Sequence, residues 1–347
     1  MRRTKLLLTV ALVLAAAGSV RAQGELGPRV VRQPPLAKPL PTAVPRAAAL
    51  PQATSLAASA LLRFADGAGD ANDVDRSVAR ALSRVPDARA IAQRIAARIR
   101  GLPAPDQQAA FGDRQRHLAR AVTAADYVPL ANPSIPSVGR ASVSPASSPA
   151  PAAKPAASRL SLHLTAVACR KAADADGVDE PVALAAAVVP SASGFASVLG
   201  FRRLPPSGSG KLAAGQSLAA NVPVYAGSSG FVLVSALLED DDGDSGPRAA
   251  DVHLLTELGV GLAAATGGAD PLAALQARIE DALALLRVHE PARWGEKAAR
   301  ARVVRASEWS TAPTKRVSGT PSRTFETVHD TDGGDYALRF HVNVASP

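Results

Sequence analysis

Apolar and polar positions follow two different rhythms along this chain, and the rhythm changes near residue 159. Upstream, Ile91, Ile95 and Ile99 recur every fourth residue with Ala88, Ala92 and Ala96 beside them, which is one narrow apolar stripe on a helix. Arg89, Arg94, Arg98 and Arg100 lie off that stripe. A second helix is predicted from Phe111, Leu118 and Val122, with Arg114, Arg116 and Arg120 on its polar side. Asp73 and Asp87 stand where N-caps belong, and Pro105-Asp106 reads as a helix start. Residues 54–125 therefore read as three or four short helices.

Downstream the period is two. Leu160, Leu162 and Leu164 alternate with Ser161, His163 and Thr165, as in a half-buried strand. Further strands are predicted at 181–189, 195–203, 216–225 and 231–238, separated by Gly, Ser and Pro turns. The run at 231–238 is apolar almost throughout and stops at five acids, Glu239, Asp240, Asp241, Asp242 and Asp244. That pattern describes a core strand that opens into an acidic loop. Residues 251–265 then read as helix. Asp270-Pro271 is an N-cap followed by a first-turn proline, opening a helix with Leu272, Leu275, Ile279, Leu283 and Leu286 on one face. Strands return at 302–307, 324–329 and 336–344. The expected class is α+β. A small N-terminal helical domain and a Pro-rich linker precede an antiparallel β-sandwich with inserted helices, because a single sheet would leave one apolar face bare.

The boundaries follow composition. Residues 1–22 carry a basic start (Arg2, Arg3, Lys5), an apolar stretch at 6–17 and Val20-Arg21-Ala22, the three parts of a secretory signal peptide. The expected location is accordingly outside the cytoplasm, periplasmic or extracellular. Residues 23–53 are rich in Pro and Ala and read as a disordered tether. A basic helical domain is expected at 54–127, a Pro/Ser/Ala linker at 128–158, and the sandwich at 159–347 with its helical insertion at 251–287.

Charge sharpens the contrast between the halves. Through Ser158 there are 21 Lys/Arg and 9 Asp/Glu, against 18 and 21 from Arg159 onward, so the halves carry +12 and −3. Basic amphipathic helices suit anionic surfaces, and an anionic cell-envelope polymer or membrane surface is the partner this implies. Aromatics are only 3% of the chain, which leaves such helices short of interfacial anchors. No recognition motif for nucleic acid occurs, and none is expected as a partner.

The candidate chemistry lies in three acidic loops. The first holds Asp174, Asp176, Asp179 and Glu180, the second Asp240, Asp242 and Asp244, and the third Asp332 and Asp335. If successive strands alternate in direction, all three emerge at one end of the sandwich. Converging carboxylates repel unless a cation or solvent relieves them, and hard oxygen donors select Ca²⁺. The opposing reading is that Asp and Gly are ordinary turn formers. None of the loops has EF-hand spacing. The six His are dispersed without HExxH, Gly208-Ser209-Gly210-Lys211 lacks the phosphate-loop spacing, and no GxSxG occurs. The single Cys169 ends an apolar run and reads as a small buried hydrophobe.

Val167-Ala168-Cys169, Gly177-Val178-Asp179-Glu180-Pro181, the acidic turn after Leu238, the inserted helix and Asp332-Gly333-Gly334-Asp335-Tyr336 together resemble uncharacterised exported bacterial β-sandwich modules, themselves similar to C2-type cation-binding domains. The resemblance covers the second half of the chain and brings no established activity with it. The resulting expectation is an exported, non-enzymatic binding or structural module stabilised by Ca²⁺. The alternative is an exported hydrolase with its carboxylates at the sandwich rim.

Overall fold

The computed structural model describes residues 29–32, 50–131, 159–174, 177–191, 194–206, 210–240, 245–291, 293–295, 297–305, 315–317, 320–331 and 333–345. Asp176, Asp242, Asp244 and Asp332 lie outside these residues, as do the expected signal segment and all but the first four residues of the expected linker.

The helices are α1 (Leu50–Ala65), α2 (Asp73–Leu82), α3 (Ala88–Gly101), α4 (Ala104–Phe111), α5 (Ala124–Ala131), α6 (Ser245–Thr266), α7 (Pro271–Leu283) and α8 (Leu285–His289). The strands are β1 (Arg29–Arg32), β2 (Arg159–Lys171), β3 (Val178–Asp179), β4 (Pro181–Val189), β5 (Ser197–Val198), β6 (Arg202–Leu204), β7 (Leu212–Ala213), β8 (Gln216–Gly227), β9 (Phe231–Glu239), β10 (Ala299–Val304), β11 (Lys315–Val317), β12 (Thr320–Thr331) and β13 (Gly334–Ala345). The α+β class expected from the two rhythms is the one observed. Among the described residues no helix is long and apolar enough to cross a membrane.

One sheet runs β1-β8-β2-β13-β12-β11, a second runs β10-β9-β4-β5 with β6 also on β4, and β3 pairs with β7 in a short ribbon. Neighbouring strands are antiparallel. The two larger sheets face each other across a core. Leu162, Leu164 and Val167 of β2 with Leu338 and Phe340 of β13 meet Ala183, Ala185 and Ala187 of β4 and Leu233 and Leu237 of β9. The other parity of β4 and β9 does not face water. Val182, Leu184, Val188, Val232, Val234, Ala236 and Leu238 pack under the helices. The second sheet is therefore the middle of three layers, which is why β9 reads as a continuous apolar run while β2 and β13 alternate.

The helical layer corrects the expected division of the chain. Leu56, Leu61, Val78, Ile91, Ile95 and Ile99 belong to the same apolar core as Val252, Leu255, Leu258, Ile279 and Leu286. The N-terminal helices thus share one core with the inserted helices and with one face of β4 and β9. The charge asymmetry has the same explanation. Arg84 lies 3.7 Å from Glu257, Arg94 pairs with Asp251 and Arg98 pairs with Glu290, so part of the basic face is answered by acids of the other half.

Boundaries and caps shift as well. Val30-Val31 places β1 inside the expected tether, with Arg29 opposite Ala219 on β8. α5 runs through residues 128–131, which were expected as linker, and the insertion spans 245–289 rather than 251–287. Asn72, not Asp73, caps α2 by accepting from the Asp75 N–H, and Asp87 makes no capping bond. The helix expected through Phe111–Val122 breaks at Gly112 into a 3-10 turn (Gly112–Ala119). Asp270 caps α7 as its sequence requires, accepting from the N–H groups of Leu272 and Ala273. The strand expected at 195–203 reduces to the short edge pieces β5 and β6.

Candidate functional site

Strand parity decides which acids turn inward. Along β9 the residues 231, 233, 235 and 237 face the other sheet, and Glu239 is the next of that series. Along β13 the inward series begins at Tyr336 and continues through Leu338 and Phe340. Glu239 and Tyr336 therefore meet between the sheets, both at 0% exposure, and Asp179 at the end of β3 joins them at 0%. The Tyr336 hydroxyl contacts Asp179 Oδ2 and lies 2.9 Å from Glu239 Oε2.

The rest of each carboxylate is held by backbone. Asp179 accepts from the Ala173 N–H at 2.9 and 2.8 Å and from the Asp174 N–H at 3.0 Å, which folds the first acidic loop back onto itself. Glu239 accepts from the Glu180 N–H through Oε1, and its own carbonyl accepts from Arg248 Nη2. One phenol thus ties together the roots of all three acidic loops. The phenol is held protonated, its pKa pushed far up by burial first, then by the bond to Asp179 and the charge of Glu239. Cys169 lies beside Tyr336 across the β2–β13 pairing. Burial, then the charges of Asp179, Glu239 and Asp335, push its thiol up to about 12. A thiol in that state is no nucleophile at neutral pH.

The remaining described members of the acidic set serve local structure. Asp240 accepts from the Ser245 N–H at 2.9 Å, at the first residue of α6, and lies 3.6 Å from Arg203. Glu180 lies 3.4 Å from Lys211. The Asp174 carbonyl accepts from the Gly177 N–H at 3.0 Å, closing a turn. Asp335, the second residue of β13, stands opposite Lys171 and Asp330. The structure thus brings the roots of the three loops together at Asp179, Glu239 and Tyr336. Asp179, expected at the rim, is instead a sealed anchor.

Two polar groups lie apart from the acidic loops. Between the sheets, His329 Nδ1–H donates to the Ala298 carbonyl at 3.2 Å, which leaves Nε2 to accept from the Thr327 hydroxyl at 2.8 Å, with Ser235 Oγ at 3.3 Å. A serine beside a histidine suggests a nucleophile and its base. Here Ser235 and His329 are 1% and 0% exposed, so no substrate reaches them. Their job is to satisfy one another in an apolar core. The second group is on the helical layer, where Asp251, His289 and Glu290 each bring one ligand atom within 4.8 Å of the others. The dispersed histidines of the sequence gave no hint of it, because its members come from α6 and from the end of α8.

Comparison of the chain with protein-family models, with curated proteins and with solved structures returned no match.

Proposed function

We propose that this chain is an exported, non-enzymatic binding module whose acidic rim takes up calcium. The observation that supports the reading is the shared anchor of the three loops. Asp179, Glu239 and Tyr336 tie their roots within one hydrogen-bonded cluster at one end of the sheets. A divalent cation taken up between the loops would relieve repulsion among their carboxylates by coordination. Contact with an anionic envelope polymer would fall to Arg114 and Arg116 on the 3-10 turn, since Arg94 and Arg98 are engaged by Asp251 and Glu290.

Calcium titration with thermal unfolding tests the reading. Extracellular modules bind Ca²⁺ with dissociation constants of about 10⁻⁴–10⁻³ M, so millimolar calcium raises Tm while sodium at matched ionic strength does not. Sodium is the necessary control because screening alone weakens exposed repulsion. Asp176→Asn combined with Asp242→Asn removes the calcium increment and leaves the buried anchor intact. Equal shifts with the two salts, or an unchanged calcium response in the double variant, would leave the loops as solvated turns.

A further inference from the structure

We propose that Asp251, His289 and Glu290 form a binding site for one divalent transition-metal ion of the zinc class, entered by displacement of the Arg98 guanidinium. The site goes beyond the calcium reading, since it lies in the helical layer and shares no residue with the acidic loops.

Three features carry the inference. The first is convergence: an imidazole nitrogen and two carboxylate oxygens lie within 4.8 Å of one another. An ion that binds imidazole nitrogen and carboxylate oxygen at about 2.0–2.2 Å draws three such atoms together with modest side-chain movement. The second is that polar atoms of the group are left over. His289 is 6% exposed, and neither its Nε2 nor Glu290 Oε2 has a hydrogen-bond partner among the described residues. Buried polar atoms of native proteins are nearly always partnered, and each exception calls for a cause. The third is donor chemistry. Imidazole favours zinc, cobalt and nickel over calcium or magnesium, which prefer oxygen alone. A neutral imidazole has one ring nitrogen with a lone pair to give to such an ion.

The group already demands positive charge. Arg94 meets Asp251, and Arg98 meets Glu290 while its Nη1 stands 3.4 Å from His289 Nδ1. Both arginine side chains reach the group from the surface of α3 and remain 37% and 41% exposed, whereas the carboxylates they meet are 3% and 17% exposed. A guanidinium in that position can turn out to water at little cost, and the metal ion takes over the charge it neutralised. Arg98 is thus the competing cation, and its removal favours the ion.

The experiment uses the full chain after chelator treatment, titrated calorimetrically with zinc chloride and separately with cobalt chloride as a spectroscopic probe. The expected result is one equivalent bound, with calcium failing to compete. His289→Asn loses that equivalent. Arg98→Met tightens zinc binding by about tenfold, because a full positive charge has left the site. If His289→Asn does not fold, Glu290→Gln asks the same question and is expected to weaken binding. The proposal is overturned if neither the parent chain nor Arg98→Met binds zinc stoichiometrically. It is equally overturned if binding persists unchanged in His289→Asn, or in Glu290→Gln where that variant stands in.

Discussion

Gly261 of α6 rests directly on the backbone of Val78 in α2: a Cβ added there would stand 2.7 Å from the Val78 Cα and 3.0 Å from the Ser77 carbonyl oxygen. Two residues earlier, a Cβ on Gly259 would stand 2.5 Å from the Ile279 Cα in α7. Positions two apart are about 200° apart around a helix. The two glycines therefore let α6 lie close to α2 on one side and α7 on the other. Gly261→Ala gains helix propensity of about 1 kcal/mol but forces the two backbones apart. Overpacking of this kind costs about 1–3 kcal/mol, and here the obstructing atoms are main chain, so the upper end applies. Urea unfolding should show a lower midpoint at unchanged slope. An unchanged or higher midpoint would mean that α2 and α6 are not in contact.

The same packing predicts the behaviour of a chain cut between residues 132 and 158. Because Ile91, Ile95 and Leu61 share a core with Leu255, Leu258 and Ile279, the two pieces should stay together through gel filtration under native conditions. A chain beginning at Arg159 would bare that core and is expected to aggregate. A soluble 159–347 fragment with a cooperative unfolding transition would show that the halves are independent.

Tyr336→Phe deletes the hydroxyl shared by Asp179 and Glu239 and leaves two buried carboxylates facing each other. Breaking a buried charged network costs about 3–5 kcal/mol. The loss should appear in thermal and urea unfolding alike, and Glu239→Gln in the same background should recover part of it by removing the like charge. A Tyr336→Phe variant as stable as the parent would remove this cluster as the anchor of the loops.

Glu257 sets a pH dependence. It is 2% exposed, and burial, only partly offset by Arg84, raises its pKa from 4.5 to about 7. Between those values the folded chain binds more protons than the unfolded one, so this group's contribution to stability falls as pH rises from 4.5 through 7. Glu257→Gln removes the dependence. The difference in stability between variant and parent should widen over that window, reaching on the order of 3 kcal/mol, and stay level above it. A pH-independent difference would place the carboxylate in contact with water. The buried His329, pushed down to about 4 chiefly by desolvation, acts in the opposite sense. Its contribution is lost as pH falls below the usual histidine range, so the parent profile alone does not isolate Glu257.

Much of the sheet architecture was legible because it rests on local rhythm. The alternation in β2 and β13, the double-faced apolar run of β9 and the Asp270-Pro271 cap each need only neighbouring residues to be read. What stayed hidden depends on residues far apart. Arg94 and Arg98 look like the solvated side of a helix until Asp251 and Glu290 are seen against them. Glu239 looks like any member of its acidic run, yet the parity that places Leu237 inward places it inward too. Counted from Phe231, that parity was available in the sequence. Asp179 carried no such signal, because its burial follows from a two-residue strand and a loop that turns back on itself.

The pairing order also governs when the protein can fold. β13, the last of the described strands, lies between β2 and β12 in the six-stranded sheet, not at its edge. The helices made first, α1 to α5, find their partner α6 only after residues 132–244 have been synthesised. The helical core cannot close before α6 is made, and the six-stranded sheet cannot close before β13 is made. Contacts this distant in sequence form slowly, and domains that fold during synthesis do so as self-contained units from the N-terminus. Among the described residues no N-terminal unit is self-contained: the first helices wait for α6, and the six-stranded sheet waits for β13.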